Sequence, residues 1–153
     1  MTGGAAGIIK GKMTAKSGRI TKAALDKLIN TALEVRENSY SPYSKYKVGA
    51  ALLADSGRIY AGANFENASY GAGTCAERVA LGTALSAGER KFVAVCVAGQ
   101  DNTITPCGIC RQALCEFGDI DVYCVGADGS RDTVKKYKLS QLLPESFGPG
   151  QLN

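Results

Sequence analysis

Two short segments of the chain carry residues that could bind a metal ion. They are Cys75-Ala76-Glu77-Arg78 and Pro106-Cys107-Gly108-Ile109-Cys110-Arg111. Cys107 and Cys110 are three positions apart, so both thiols can face one point if they stand at the start of a helix. This is the spacing of zinc ligands, and a helix N-terminus favours the thiolate form that a metal requires. By the same reasoning we expect Cys75, in the first turn of its own helix, to supply a third thiolate.

The number of ligands indicates the kind of metal site. Structural zinc sites usually close with four protein ligands, whereas catalytic sites keep three and leave a position for water. The chain has no histidine, and its remaining cysteines are poorly placed to add a fourth ligand: Cys96, Cys115 and Cys124. We predict that these three are core thiols and that the site is catalytic. Zinc is the expected metal, although other soft metals share the preference for thiolates.

Glu77 lies two positions after Cys75 and is the candidate for moving protons. A glutamate beside zinc-bound water can take a proton from that water and deliver it to a leaving group. A first-turn glutamate stabilised by the helix dipole is the plainer alternative. The neighbouring cysteine motifs favour the catalytic interpretation.

The arginines that directly follow the two motifs could adjust the charge of the site. Three thiolates on one dication give a net charge of −1, which should make the zinc a poorer acid. Arg78 and Arg111 could offset this charge by donating hydrogen bonds to the sulfurs. The alternative is that both are surface arginines.

The elements that must position these residues follow from the apolar spacing and the turn signals. Helices are predicted from a Thr21 cap until about residue 37, from a Thr74 cap to about residue 87, and from Pro106 to residue 117. Strands are predicted over residues 48–54, 59–63, 92–98, 122–125 and 133–139, and the end, 142–153, is expected to be irregular. Strands separated by helices imply an α/β sheet that is covered on both faces.

The length and the charge distribution predict one ordinary domain that follows a basic leader. The chain has 153 residues, with no apolar run near the ~20 that span a membrane and no secretory signal over residues 1–11, so we expect a cytoplasmic protein. Residues 1–22 carry five basic residues and no acid, which leaves 13 basic against 14 acidic residues in the body. We expect a disordered leader over residues 1–20 and a single domain over residues 21–153. The leader is interpreted as a solvated tail, with an electrostatic contact as the alternative.

Six motifs in order resemble the small, homotetrameric, zinc-dependent cytidine deaminases, and the resemblance runs from about residue 39 to 152. Beside the two cysteine motifs, with Gln112 closing the second, the remaining four are Ser41-Pro42-Tyr43-Ser44, Val48-Gly49-Ala50-Ala51-Leu52, Asn64-Phe65-Glu66-Asn67-Ala68, and Leu143-Pro144 followed by Phe147-Gly148-Pro149. Known zinc deaminases include sites with three cysteines and a glutamate that is not a ligand.

The resemblance implies a fold, a reaction and a substrate site. The fold would be a three-layer α/β/α sandwich with a mixed five-stranded sheet. The reaction would be hydrolytic deamination of cytidine and deoxycytidine, part of pyrimidine salvage, with one zinc ion per subunit held by Cys75, Cys107 and Cys110, and with Glu77 also contacting the ring.

Substrate-binding residues are implied in the same way. Asn64 and Glu66 would hydrogen-bond the ribose 3′-hydroxyl. Tyr46 stands where the family usually stacks a phenylalanine on the pyrimidine, and Lys47 stands where many members have proline. Tyr70 and Phe147 would reach into the site of a neighbouring subunit of the homotetramer, with ordinary local packing as the alternative.

Two alternative functions keep the same metal site. One is an editor of cytosine in RNA or DNA, which the near-neutral body and the lack of an interleaved basic and aromatic surface disfavour. The other is an enzyme for a modified cytosine nucleoside, which the Asn64-x-Glu66 segment disfavours. A third alternative is a structural zinc protein that only mediates interactions. It would need a fourth protein ligand. Nucleic-acid and membrane partners are therefore not expected.

Overall fold

A single mixed sheet of five strands forms the centre of the protein in this computed structural model, which describes residues 19–152. The strands are β1 (Gly49–Ala54), β2 (Ile59–Ala63), β3 (Phe92–Ala98), β4 (Asp121–Val125) and β5 (Lys135–Lys138). Their order is β2-β1-β3-β4-β5, with β3 and β4 parallel and the other neighbours antiparallel. This confirms the predicted mixed five-stranded sheet. The predicted leader, 1–20, lies outside the described residues except for its last two.

Helices cover both faces of the sheet. They are α1 (Lys22–Arg36), α2 (Ala76–Ser86), α3 (Gly108–Cys115) and the short α4 (Leu139–Leu142). Along β1, Ala51 and Leu53 pack on the α1 side, whereas Leu52 packs on the side of α2 and α3. The three-layer α/β/α arrangement is therefore confirmed. No helix among residues 19–152 combines the length and apolar character needed to cross a bilayer.

The packing of α2 against β2 depends on one glycine. A Cβ atom at Gly62 would overlap the backbone of α2 at Ala76 and Ala80, so a side chain there would push the helix off the sheet. Glu77 lies in the same turn of α2 as Ala76. The close contact therefore sets the position of the helix end that carries the candidate catalytic residues.

Two helices start later than predicted, one by a single residue and the other by two. The backbone of Thr74 pairs with Phe65 in both directions, at 3.0 and 3.1 Å, so the N-cap of α2 is Cys75 and not Thr74. Similarly, Cys107 is the N-cap of α3, and the helix begins at Gly108. Both cysteines thus stand immediately before the first turn, where the free backbone N–H groups of the helix lie.

The C-terminal region is more regular than predicted. The last strand ends at Lys138, and α4 follows it directly, where the sequence predicted the end of a strand and an irregular segment. The Lys138 N–H donates to Gln141 Oε1 at 2.7 Å, and the Ser140 N–H donates to Asp119 Oδ1 at 2.8 Å. These side-chain oxygens satisfy N–H groups at the start of a helix that is too short to show an apolar period.

Candidate metal centre and active site

Three thiols from two helix starts converge on one point. The Sγ atoms of Cys75, Cys107 and Cys110 all lie within 4.8 Å of one another, and those of Cys75 and Cys107 are 3.7 Å apart. A tetrahedral zinc ion with bonds of about 2.3 Å to sulfur separates its sulfur ligands by about 3.8 Å. The spacing and the soft donor atoms of this cluster therefore fit zinc.

The cluster contains three potential ligands and no fourth within the described residues 19–152. Cys96 and Cys124 are fully buried in β3 and β4, which confirms them as core thiols. Cys115 is half-buried at the edge of the core, with its Sγ 3.3 Å from Ser146 Oγ. Three protein ligands leave a coordination position for water, as in catalytic zinc sites.

The thiols of Cys75 and Cys110 differ in pKa. A hydrogen bond with Cys110 lowers the pKa of Cys75 to about 5, and it raises the pKa of Cys110. Burial opposes the shift at Cys75, while Cys107 and Arg78 reinforce it. A dication bound to all three sulfurs would favour the thiolate at each of them, because its charge stabilises the deprotonated form.

Glu77 is the one charged side chain that is buried in the part of the chain that the structure describes, with 4% of its surface exposed. It stands in the first turn of α2, two positions from Cys75. Burial raises the pKa of the Glu77 carboxyl, and the nearby Cys75 thiolate adds to this shift. A carboxyl group with a raised pKa beside a metal site is suited to accept a proton and pass it on.

Arg78 interacts with two cysteines of the cluster, Cys75 and Cys110. Burial lowers the pKa of Arg78, but hydrogen bonds to Cys75 and Cys110 outweigh this effect and raise it overall. Its buried Nε has no hydrogen-bond partner among the described residues. The guanidinium thus brings a positive charge beside two of the three sulfurs.

Arg111 has a different set of partners from the one expected. Its Nε donates to Pro106 O at 2.7 Å, its Nη1 to Leu142 O at 2.6 Å and its Nη2 to Thr105 Oγ1 at 2.8 Å. These bonds tie α3 to the preceding loop and to the end of α4. None of the Arg111 hydrogen bonds found within residues 19–152 goes to a sulfur, so a role at the sulfurs stays a prediction.

Asn64 connects the end of β2 to the segment 39–48. Its Oδ1 accepts from Ser39 Oγ at 2.6 Å and from the Val48 N–H at 2.8 Å, and its Nδ2 donates to Tyr46 O at 3.0 Å. Among the described residues, the second Nδ2 hydrogen has no partner. The sequence did not indicate this connecting role, because the contacts join residues 16 to 25 positions apart.

Glu66 holds the neighbouring turn and lines a cleft. Its carboxylate accepts from the N–H groups of Tyr43 and Ser44, at 3.0 and 3.2 Å, and from the Ser44 hydroxyl. The Ser44 hydroxyl is the main cause that lowers the pKa of Glu66. The cleft has a volume of about 460 Å³, and its lining residues are Tyr43, Ser44, Glu66, Asn67, Tyr70 and Gly73. Tyr43 and Ser44 belong to a motif that the sequence singled out without giving it a role.

The predicted aromatic substrate contacts differ in exposure. Tyr46 is half-buried, whereas Tyr70 is 83% and Phe147 57% exposed. The Tyr70 ring meets the Tyr43 ring edge-on, with centroids 6.2 Å apart, at the cleft. Phe147 is anchored through its carbonyl, which accepts from Gln112 Nε2 at 2.8 Å. The Gln112 anchor joins the second cysteine motif to the C-terminal segment.

An α/β/α sandwich with three convergent thiolates and a buried carboxyl group defines a class of zinc-dependent hydrolases. The family model described as the cytidine and deoxycytidylate deaminase zinc-binding region matches residues 22–126, which include all three cysteines of the cluster. The chain therefore belongs to the cytidine and deoxycytidylate deaminase family, and the predicted zinc cofactor is confirmed.

Curated relatives and solved structures agree with this assignment. A probable cytidine deaminase of Dictyostelium discoideum is 44% identical over 130 residues, which cover 84% of this chain and 86% of the relative. The cytidine deaminase of Sporosarcina psychrophila is 42% identical over 132 residues, which cover 84% and 95% of the two chains. The structure of cytidine deaminase from Burkholderia pseudomallei is 42% identical, with a TM-score of 0.74 over 84% of this chain and all of that one.

Proposed function

We propose that this protein is a cytidine deaminase, which hydrolyses cytidine and 2′-deoxycytidine to uridine and 2′-deoxyuridine with release of ammonia. The observation that carries the proposal is the buried Glu77 carboxyl beside three convergent thiols. Relatives that are up to 44% identical carry the same activity in their names. We assign the activity to one domain over residues 21–153. All six cysteines are free, which supports a location in the reducing cytoplasm.

Glu77 acts as the carrier of two protons in turn. The zinc ion, when held by Cys75, Cys107 and Cys110, supplies a positive charge that lowers the pKa of the attacking water. Glu77 removes one proton from this water and donates it to N3 of the ring while the water oxygen adds at C4. The second proton of the water then passes through Glu77 to the amino group, which leaves as ammonia. The raised pKa of Glu77 supports both transfers, because burial makes the carboxyl group a better proton acceptor than an exposed glutamate.

Arg78 is a positioning residue for the metal ligands. Its positive charge lies against Cys75 and Cys110, where it offsets part of the negative charge of three thiolates. A less negative ligand set makes the attacking water easier to deprotonate.

Asn64 and Glu66 bind the ribose 3′-hydroxyl, and Tyr46 stacks on the pyrimidine. In the described residues Asn64 keeps one amide hydrogen free for a hydroxyl oxygen. A carboxylate has about four acceptor positions, so Glu66 can accept from the hydroxyl beside its three existing bonds. These two residues therefore offer both a donor and an acceptor to one hydroxyl group.

The active protein is a homotetramer in which Tyr70 and Phe147 reach the site of a neighbouring subunit. Their exposure, 83% and 57%, supports this assignment, since large exposed aromatic surfaces favour burial against a partner. Light scattering on the purified protein tests the assembly. Phe147→Ser should raise KM for cytidine, whereas Glu34→Gln, a change to an exposed residue on α1, is the control.

The loss of the cytosine absorbance band during incubation with cytidine tests the function itself. The zinc-loaded wild type should convert cytidine, and Glu77→Ala should convert none while it retains zinc and its melting temperature. Glu34→Gln, a change to an exposed glutamate on α1, should behave like the wild type. A silent zinc-loaded wild type would overturn the proposal and direct the assay to modified nucleosides and then to single-stranded RNA and DNA.

A further inference from the structure

The segment that carries Tyr46 is held on its C-terminal side by Gln100. The Lys47 N–H donates to Gln100 Oε1 at 2.8 Å, across 53 positions of sequence, in a half-buried place. Lys47 immediately follows Tyr46, the residue assigned to the pyrimidine ring. The contact therefore joins the substrate segment to the loop that leaves β3.

Gln100 itself projects from a fixed part of the backbone. The carbonyl of the preceding residue, Gly99, accepts from Arg36 Nη1 at 2.6 Å, and the Gly99 N–H donates to Val125 O at 3.1 Å. Arg36 is the last residue of α1, and Val125 is the last residue of β4. The backbone next to Gln100 is thus fixed to α1 and β4, and its side chain offers an acceptor at a defined position.

A second contact joins Lys47 to the end of α1. Lys47 Nζ lies 2.9 Å from Glu37 Oε2, and Glu37 Oε1 accepts from Arg36 Nε at 3.3 Å. We call Arg36, Glu37, Lys47, Gly99 and Gln100 the Lys47 clasp. The side-chain part of the clasp is exposed and carries little energy, because exposed ion pairs are weak. The half-buried bond to Gln100 is the stronger part, since a buried N–H without an acceptor is costly.

The backbone on the other side of Tyr46 requires such support. Lys45 has a φ of 60°, a left-handed conformation that is unfavourable for a lysine and that neighbouring contacts must maintain. The Tyr46 N–H donates to Ser44 Oγ at 3.0 Å, and the Tyr46 carbonyl accepts from Asn64. The Lys47 bond to Gln100 is the next contact along the chain.

The Tyr46 side chain also depends on this loop. A Cβ atom built on Gly99 would lie 3.3 Å from the Tyr46 hydroxyl, so the hydroxyl rests directly over the Gly99 backbone. A displacement of residues 99–100 relative to Lys47 would therefore move the ring as well as the main chain of Tyr46.

We propose that Gln100 is a positioning residue that sets the Tyr46 ring for the substrate by accepting the Lys47 N–H. The inference rests on the proposed function, which assigns Tyr46 to the pyrimidine. Gln100 acts through another residue and has no part in proton transfer. Its loss should weaken binding of substrate and product and leave the chemical step nearly unchanged.

Four variants test the role of the acceptor. Gln100→Ala should raise KM for cytidine roughly fivefold to tenfold, the scale of one lost half-buried hydrogen bond, with kcat within about twofold of the wild type. Gln100→Glu keeps an acceptor and should stay close to the wild type. Lys47→Pro combined with Gln100→Ala removes the backbone N–H of residue 47 together with its acceptor. No N–H is then left without a partner, so KM should return toward the wild-type value. Lys47→Ala combined with Gln100→Ala keeps the N–H and should remain as impaired as Gln100→Ala.

Uridine binding by calorimetry gives a second readout, and its Kd should follow the KM values. A KM for Gln100→Ala within twofold of the wild type would overturn the inference, and so would equal KM values for the two double variants. Melting temperature and zinc content confirm that each variant is folded. If the proline variant does not fold, the comparison of Gln100→Ala with Gln100→Glu decides. Failure of the proposed function is distinguishable, since the wild type would then show no deamination in the same assay.

Discussion

The Sγ atoms of Cys75 and Cys107 lie 3.7 Å apart, although the residues are 32 positions apart and cap two different helices. Neither thiol makes a capping hydrogen bond to its own helix, so both are available to a metal. Each stands at a helix N-terminus, where the partial positive charge favours a thiolate. The metal centre is therefore built from the starts of α2 and α3, and the packing of these helices on the sheet sets its geometry.

Replacing one cap cysteine should abolish zinc binding. Cys107→Ser leaves two thiolates, and we expect zinc content to fall well below one ion per chain and deamination to disappear. Cys115→Ser is the matched control, because Cys115 lies outside the cluster against Ser146. Elemental analysis and a thiol-protection assay make the comparison. Full zinc occupancy in Cys107→Ser would contradict the assignment of Cys107 as a ligand.

Glu66 is expected to act on substrate binding through the ribose. Glu66→Gln loses charged hydrogen bonds, so KM for 2′-deoxycytidine should rise roughly 10- to 100-fold. The wild type should prefer 2′-deoxycytidine to 2′,3′-dideoxycytidine, and Glu66→Gln should lose most of this preference. If the variant is impaired equally on both nucleosides, Glu66 serves only to hold Tyr43 and Ser44. Glu34→Gln is again the control for a change of charge alone.

The proximity of Cys107 and Cys110 could be predicted from the sequence because its signal is local. Cys107 and Cys110 share one helix start, and the three-residue spacing alone brings their thiols together. The cap of α2 was predicted one residue early, at Thr74, because the backbone pairing of Thr74 with Phe65 comes from a distant part of the chain. The strands were predicted closely, since their apolar runs follow directly from burial on both faces of the sheet.

The contacts around the substrate segment could not be predicted in the same way. Glu66 reaches Tyr43 and Ser44 over more than 20 positions, and Arg111 reaches Leu142 over 31. Such hydrogen bonds depend on the folded path of the chain, and the residue types are equally compatible with an exposed surface. Resemblance to a family suggested that Asn64 and Glu66 matter, but it did not indicate that they also hold the segment 39–48.

The two arginines that follow the cysteine motifs should differ when they are replaced. Arg78→Gln removes the charge beside Cys75 and Cys110, and we expect zinc affinity or kcat to fall roughly 10- to 100-fold. Arg111→Gln removes bonds to Pro106 and Leu142, so it should lower the melting temperature with a smaller effect on zinc affinity. Competition with a zinc chelator, together with thermal unfolding, separates the two effects. Equal losses of zinc affinity in the two variants would indicate that Arg111 also interacts with the cysteine sulfurs.

Asp121 links the last two strands through charge, and its effect on stability should depend on pH. Lys136 and Lys138 on β5 lie 2.9 and 2.8 Å from its carboxylate. Burial alone would raise the pKa of Asp121, but hydrogen bonds from these two lysines lower it below the usual value of 3.8. Because the folded state then binds fewer protons than the unfolded state, Asp121 stabilises the fold above pH 3.8, and this stability is lost as the pH falls through the lowered pKa.

Asp121→Asn should therefore reduce the free energy of unfolding by about 1 kcal/mol at neutral pH, a value limited by the exposure of both lysines. The difference from the wild type should stay constant down to about pH 4 and shrink below it, because the unfolded wild type then takes up a proton that the folded state does not yet bind. Urea unfolding across this pH range measures the difference, with Asp55→Asn in the exposed turn after β1 as the control. A difference that grows on acidification would show that the two lysines do not stabilise the Asp121 carboxylate.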